Sequence, residues 1–238
     1  MIPKIIHYCW FGRNPLPKSA QKCLASWKKF FPDYEIKEWN EDNFDVNIIQ
    51  YTKDAYAARK YAFVSDYARF WILYHYGGVY FDTDVEVIKQ MEDIIDRGPF
   101  MGLETSGLNG IGSIAVAPGL GIASNEANPA YRSFLDEYEG LHFFDENNEI
   151  NHYSMVPMVS HFFVDNGLKG FNDRIETIAG IDIYPTDYFN PYNSKNGELC
   201  ITENTRSIHW YSASWLSWKD RLLLRLKRRV RSLLSKAL

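Results

Sequence analysis

The chain has 238 residues, of which 46% are hydrophobic and 16% aromatic, so it is long enough for one sizeable domain and too apolar for a disordered chain. No apolar run is long enough to span a bilayer, and the N-terminus lacks the layout of a signal peptide. The three cysteines, Cys9, Cys23 and Cys200, are far apart and include no C-x-x-C pair. This pattern suits a reducing compartment and predicts no zinc site, so we expect a cytoplasmic protein.

The formal net charge of −4 is unevenly distributed along the chain. Residues 216–238 contain eight basic residues and one acidic residue, which leaves the rest of the chain strongly acidic. A strongly acidic body repels phosphate backbones, so we expect no nucleic-acid partner.

The first third of the chain alternates between strand-like and helix-like segments. The predicted elements are a strand over 5–10, a helix over 19–31, a strand over 34–39, a helix over 62–76, a strand over 79–81 and a short extended piece over 85–88. This β-α-β-α-β order predicts an α/β fold, with a sheet covered by helices on both faces. In such folds ligands bind outside the carboxyl ends of the strands.

The C-terminal half is less regular, and its strand order does not follow from the sequence. Helices are predicted over 127–138 and 155–164, and short strands over 181–184 and 206–210. We divide the chain into a main domain over 1–215 and a basic amphipathic C-terminal helix over 216–238. On a helical wheel the leucines of that tail gather on one side and most arginines on the other.

Two carboxylates interrupt the apolar stretch GGVYFDTDVEV, at Asp82 and Asp84. In an extended segment, residues two apart point to the same side, so both carboxylates would face one spot. Like charges a few ångströms apart repel unless a cation lies beside them, and hard oxygen ligands suit Mg²⁺ or Mn²⁺. The alternative is a solvated turn whose carboxylates cap backbone amides.

The helix that precedes this stretch contains an acid and an arginine three residues apart, Asp66 and Arg69. Residues at this spacing share a helix face. On an exposed helix such a pair is worth only a few tenths of a kcal/mol. Here the neighbouring residues are bulky and apolar around most of the helix, which predicts a buried helix. An acid–arginine pair on a buried helix is more typical of the wall of a binding site than of a solvent-exposed surface.

Four stretches resemble, in this order, the DxD-containing glycosyltransferases of the mannosyltransferase and capsular-polysaccharide type: IPKIIHYCWFG, SDYAR, GGVYFDTDVEV and IHWYSASW. The same stretches resemble, more distantly, the glucosyltransferase domains of large clostridial toxins. The resemblance implies a GT-A type nucleotide-sugar-binding fold with a mostly parallel central sheet. It also implies a nucleotide-sugar donor, transfer with retention of anomeric configuration, and a divalent cation, Mn²⁺ or Mg²⁺.

On the donor side, the resemblance implies that Trp10 stacks on the base and that Asp66 and Arg69 hold hydroxyls of the donor sugar. Asp82 would contact ribose, sugar or metal. Asp66, Arg69 and Asp82 together form the predicted catalytic group. An indole offers a large flat surface, and stacking a base on it is worth roughly 1–3 kcal/mol.

On the metal side, the resemblance implies that Asp84 binds the cation directly, with Asp82 beside it, and that His209 completes the protein ligands. Ser214 and Trp215 would touch the diphosphate. An imidazole suits Mn²⁺ better than Mg²⁺.

The predicted function is transfer of a sugar, with a UDP-sugar favoured, to a glycan or lipid-linked glycan acceptor in surface polysaccharide synthesis. The basic tail would then lie on an anionic membrane, at the inner face of the cell membrane, or else pack its leucines on the domain. Transfer by same-face attack is favoured over a covalent intermediate. Two other functions stay open: a non-catalytic nucleotide-sugar-binding subunit, and a phosphatase of the haloacid-dehalogenase type with Asp82 as nucleophile.

Overall fold

The computed structural model describes residues 1–151 and 155–212, apart from the side chains of Asn109 and Ile111. The expected C-terminal helix over 216–238, with Ser214 and Trp215 before it, lies outside the described residues. Within the described ranges, none of the helices combines the length and the apolar character needed to cross a membrane.

Helices and strands alternate along most of the chain. The helices are α1 (Lys18–Phe30), α2 (Gln50–Ala57), α3 (Tyr61–Tyr76), α4 (Glu92–Ile95), α5 (Pro129–Glu139), α6 (Met155–Asp165) and α7 (Thr186–Phe189). The strands are β1 (Ile5–Cys9), β2 (Glu35–Trp39), β3 (Gly78–Tyr80), β4 (Val85–Val87), β5 (Phe100–Thr105), β6 (Ala115–Val116), β7 (Ile122–Ser124), β8 (Glu176–Ile178), β9 (Ile181–Tyr184) and β10 (Ser207–His209). Short 3₁₀ helices cover 107–109, 111–113 and 118–120.

The central sheet has the strand order β2-β1-β3-β7-β5-β9-β8, and β6 pairs with β5. β1 is parallel to both β2 and β3, and β5 is parallel to β9. β7 runs antiparallel between β3 and β5, so β2, β1, β3, β5 and β9 all point in one direction. The α/β class and the mostly parallel central sheet expected from the sequence are therefore confirmed.

Two strand pairings determine which residues meet at the carboxyl edge of the sheet. β1 pairs with β3 so that His7 lies opposite Tyr80, which places the residues that follow both strands at the same edge. β4 and β10 form a separate antiparallel ribbon in which Val85 lies opposite His209. That ribbon brings the end of the described chain back to the turn after β3.

Helix α3 is buried over most of its circumference, as its composition predicts. Seven of its sixteen residues are buried, namely Val64, Tyr67, Ala68, Arg69, Phe70, Ile72 and Leu73. Gly77 ends the helix and its amide donates to the Leu73 carbonyl. The chain then enters β3 at once, so the helix and the strand that precede the acidic turn pack as one unit.

The sequence did not predict α2, β5 or β7, although each matters to the fold. β7 has only three residues, all buried, which is too short for an alternating pattern. β5 is buried over its first four residues and reads as an apolar run that periodicity cannot assign to strand or helix.

Gly78, the first residue of β3, packs closely against β1, and we predict that Gly78→Ala destabilises the fold strongly. Its φ is +97°, and a Cβ there would lie 2.7 Å from the Ile5 carbonyl oxygen and 2.9 Å from His7 Nε2. Gly180 has a φ of +76° with open space around it, so Gly180→Ala isolates the backbone strain, roughly 1–2 kcal/mol. Urea denaturation should show a loss of at least about 3 kcal/mol for Gly78→Ala. Equal losses in the two variants would contradict the packing argument.

Candidate functional site

Two acidic residues and one histidine meet beside the carboxyl edge of the sheet. Asp82, Asp84 and His209 each offer one ligand atom, and the three atoms lie within 4.8 Å of one another. The two acids are local neighbours, whereas His209 arrives through the pairing of β10 with β4. The structure therefore brings together the three residues that the sequence predicted as metal ligands.

The acidic pair lies in a turn, not in the extended segment on which the sequence argument relied. β3 ends at Tyr80, and the Val85 amide donates to the Asp82 carbonyl at 3.0 Å, which closes the turn. The two carboxylates still lie close together, and each is held by an ion pair with a residue from another element. Asp82 Oδ1 lies 3.0 Å from Arg69 Nη2, and Asp84 Oδ1 lies 3.0 Å from His209 Nε2.

Asp84 is anchored by the segment that follows β10. The Ser212 amide and hydroxyl both donate to Asp84 Oδ2, at 2.8 Å and 2.9 Å, and the Trp210 amide donates to the Asp84 carbonyl at 3.0 Å. Burial opposes ionisation of this carboxyl group, but His209 and Ser212 outweigh burial and hold the pKa of Asp84 below its ordinary value. Asp84 is therefore ionised at neutral pH.

His209 faces Asp84 with its Nε2 nitrogen. Its Nδ1 is buried and has no hydrogen-bond partner in the described part of the chain. Burial acts to lower the pKa of His209, but the Asp84 carboxylate offsets burial and the net shift is upward. A proton and a metal ion would therefore compete for the Nε2 nitrogen, since a metal-bound imidazole is neutral.

Arg69 carries a buried positive charge between two carboxylates. Its side chain is 3% exposed, and Nη2 lies 2.9 Å from Asp66 Oδ1 and 3.0 Å from Asp82 Oδ1. Nε donates to the Ser65 carbonyl, and Nη1 is buried with no hydrogen-bond partner among the described residues. The predicted pairing of Asp66 with Arg69 on one face of α3 is confirmed, and Asp82 joins this pair.

The two carboxylates beside Arg69 are easier to reach than the guanidinium itself. The side chains of Asp66 and Asp82 are 21% and 26% exposed. Burial raises the pKa of Asp66 to about 6, although Arg69 acts in the opposite direction. The pKa of Asp82 is also raised, first by burial and then by the neighbouring charge of Asp84, against the effect of Arg69. Concentrated negative charge at this edge favours a bound cation.

Gly119 packs directly against this group. A Cβ at this position would lie 2.6 Å from Asp82 Oδ2 and 3.5 Å from Arg69 Nη1. The 3₁₀ helix over 118–120 therefore approaches the carboxylate more closely than any residue with a side chain would allow. Sequence reasoning missed Gly119, because close approach of distant backbone leaves no local pattern.

The structure places Trp10 directly after β1, at the same sheet edge as the turn after the parallel strand β3. Its side chain is partly exposed, and its indole N–H donates to the Asn14 carbonyl. Ser214 and Trp215 lie outside the described residues. The described hydroxyl that reaches Asp84 belongs to Ser212, which sequence reasoning passed over although it lies in the same IHWYSASW stretch.

The donor set fits a divalent cation. Two carboxylates and an imidazole nitrogen gathered within 4.8 Å are the ligand types that Mn²⁺ accepts, and the carboxylates also suit Mg²⁺. The partial exposure of Asp82 and Asp84, 26% and 17%, leaves both accessible from solvent. The residues present are therefore compatible with the metal that the sequence predicted.

Comparison with protein families matches residues 17–101 to a model described as the glycosyltransferase sugar-binding region containing a DXD motif. The matched segment includes α3 with Asp66 and Arg69, and its DXD motif is Asp82-Thr83-Asp84. Glycosyltransferases of this kind generally use a divalent metal ion and a nucleotide sugar.

The chain is also similar to individual proteins. An inositol phosphoceramide mannosyltransferase of Schizosaccharomyces pombe is 30% identical over 42% of this chain, which spans about a third (33%) of that relative's length. An uncharacterized glycosyltransferase of Acanthamoeba polyphaga mimivirus is 25% identical over 94% of this chain and 86% of its own. The solved structure of the PaToxG glycosyltransferase is 22% identical and covers 57% of this chain and 59% of its own, with a TM-score of 0.44. Residues 17–101 are therefore similar to the sugar-binding region of glycosyltransferases that contain a DXD motif.

Proposed function

We propose that the chain is a metal-dependent, retaining glycosyltransferase of the GT-A type. It would move a sugar from a nucleotide-sugar donor, with a UDP-sugar favoured, to a glycan or lipid-linked glycan acceptor in surface polysaccharide synthesis. The observation that carries the proposal is the convergence of Asp82, Asp84 and His209 beside the Arg69–Asp66 pair.

Asp82, Asp84 and His209 would hold the divalent cation, Mn²⁺ or Mg²⁺. When bound, such a cation stabilises the negative charge that grows on a departing nucleoside diphosphate without any proton transfer. The chain contributes orientation: the Ser212 amide and hydroxyl fix one oxygen of Asp84, so the other is directed toward His209. Two ligands from distant parts of the chain are thereby held in one place.

Arg69, Asp66 and Asp82 would position the donor sugar. A guanidinium offers a rigid fork of donors, and partly exposed carboxylates accept hydrogen bonds from sugar hydroxyls. Because the pKa of Asp66 is about 6, this group is mostly ionised at neutral pH and acts as an acceptor. Trp10 would stack on the base at the neighbouring strand end. Ser214 and Trp215 would touch the diphosphate.

Same-face attack is the mechanism we propose for retention. A covalent route needs a carboxylate that is free to act as nucleophile. The carboxylates of this site already have ion-pair or hydrogen-bond partners. Asp66 and Asp82 pair with Arg69, and Asp84 binds His209 and Ser212. A leaving phosphate that accepts the proton of the incoming hydroxyl needs no such residue. The pairing of Asp82 with Arg69 also disfavours a phosphatase in which Asp82 is the nucleophile.

We also propose the domain division that the sequence indicates. Residues 1–215 would form the catalytic unit, and residues 216–238 would form a basic segment. A helix with leucines on one side and arginines on the other binds anionic lipid surfaces, at about 1 kcal/mol per cation near the surface. We propose that this segment holds the enzyme at the inner face of the cell membrane, where lipid-linked acceptors would be in reach.

The function is tested by release of nucleoside diphosphate from a panel of UDP- and GDP-sugars, with Mn²⁺ or with chelator. We expect release from at least one UDP-sugar, and a loss of about 100-fold or more in Asp84→Asn, because a metal ligand is weakened. Asparagine is the better substitution since it keeps an acceptor for Ser212. The exposed Asp33→Asn serves as control and should keep full activity. If the unmodified protein released nucleoside diphosphate from none of these donors, a non-catalytic binding subunit would be favoured.

Gly119→Ala should reduce the same turnover by roughly 10- to 100-fold, because the new methyl group displaces the Asp82 carboxylate and small displacements are costly at a reacting centre. The φ of Gly119 lies outside the left-handed region, so alanine fits the backbone. Gly112→Ala, where a Cβ meets open space, is the matched control. Equal turnover in the two variants would show that the close approach has no role.

Deletion of residues 219–238 should move the protein from the membrane fraction to the soluble fraction of a cell lysate. The reason is the loss of the basic and leucine-rich segment that we propose to bind lipid. Replacing the tail arginines by glutamine, with the leucines kept, separates the electrostatic contribution from the apolar one. Unchanged fractionation of the deletion variant would discard the membrane role.

A further inference from the structure

A hydrogen-bonded group that the proposed chemistry does not use lies behind His209. It consists of Tyr211, Glu104 near the end of β5, and Asn190 after α7. The Tyr211 hydroxyl lies 2.9 Å from Glu104 Oε1 and 3.0 Å from Asn190 Oδ1. Three segments of the fold therefore converge on one phenol group, two residues beyond a predicted metal ligand.

The orientation of this group is well determined. Asn190 Nδ2 donates to the Glu104 carbonyl at 3.0 Å, so the amide oxygen of Asn190 must face Tyr211. The Tyr211 hydroxyl donates toward Glu104 Oε1 and this amide oxygen. The phenol group is tied to β5 and to the segment after α7 at once.

The ring of Tyr211 packs on the imidazole of His209. The ring centroids are 4.1 Å apart with an interplanar angle of 57°. Tyr211 has a φ of +47°, a left-handed conformation that costs a non-glycine residue roughly 1–2 kcal/mol. Strain of this kind persists only where the surroundings impose it, and it recurs at functional sites.

His209 needs such a support. A metal-binding histidine almost always donates its second ring N–H to a carboxylate, a carbonyl or water, and that bond sets the orientation of the ring. Here Nδ1 is buried and has no hydrogen-bond partner within the described ranges. The Asp84 carboxylate fixes only the Nε2 side of the imidazole, so packing must hold the rest of the ring, and Tyr211 contacts it.

We propose that Tyr211 is a positioning residue, anchored by Glu104 and Asn190, that holds the His209 imidazole in place for a divalent cation. The inference rests on the proposed function, because it takes His209 as a metal ligand. It adds Glu104 and Asn190, which lie outside the four stretches that carry the resemblance, and it gives β5 a part in the site. Tyr211 acts through His209 and does not itself touch the metal or the donor.

The test is a titration of Mn²⁺ binding, followed by the electron paramagnetic resonance signal of the free ion, with no sugar donor present. Tyr211→Phe keeps the ring and removes its anchor, and Glu104→Gln keeps an acceptor and removes the charge. We expect about tenfold weaker binding in Tyr211→Phe, as for the loss of other residues that support a metal ligand, and a smaller loss in Glu104→Gln. Tyr192→Phe is the control, since its ring packs on Trp210 in the same region. Thermal melting without metal verifies that each variant is folded.

A purely structural role is separated by combining each variant with His209→Ala. If Tyr211 acts through His209, Tyr211→Phe should weaken Mn²⁺ binding no further once His209 is gone. Equal Mn²⁺ affinity in the unmodified protein and in both Tyr211→Phe and Glu104→Gln would overturn this inference alone. An additive loss in the double variant would do the same. Failure of the unmodified protein to bind Mn²⁺ would instead overturn the proposed metal site, and this inference with it.

Discussion

The buried guanidinium of Arg69 is the constraint on which the site depends. A charge that is 3% exposed requires opposite charges nearby, and removing one partner of a buried ion pair typically costs about 3–5 kcal/mol. Asp66 is supplied by the same helix, but Asp82 comes from the turn after β3. The pairing therefore joins α3 to the DXD turn, and the geometry of that turn cannot be separated from the folding of the core.

The same turn is joined from its other side to the end of the described chain. Asp84 receives hydrogen bonds from the amide and hydroxyl of Ser212 and faces His209, while Trp210 extends the pairing of β4 with β10. Arg69 compensates one carboxylate and the β10 segment the other. The turn therefore presents a partly exposed group of carboxylates between α3 and the β10 segment, and a cation bound there would reduce the repulsion between Asp82 and Asp84.

The site was predictable to the extent that its members are close in sequence. The spacing of Asp66 and Arg69 follows from helix geometry, and the burial of α3 follows from its composition. Asp82 and Asp84 converge as expected, but they do so in a turn and not in a strand. An alternating pattern of apolar and acidic residues does not distinguish these two conformations. His209 could be assigned only through resemblance to a family, because nothing local marks one histidine as a ligand.

By itself, the sequence determined the α/β class, the first helices and strands apart from α2, and the acid–arginine and acid–acid pairs, because these depend on contacts within a few residues. Only the tertiary structure decided that Ser212 anchors Asp84, that Gly119 lies against Asp82, and that Glu104 supports Tyr211. Each of these contacts joins segments from different parts of the sheet. Strand order and register create such contacts, and they are determined by packing of the whole core rather than by any local run of residues.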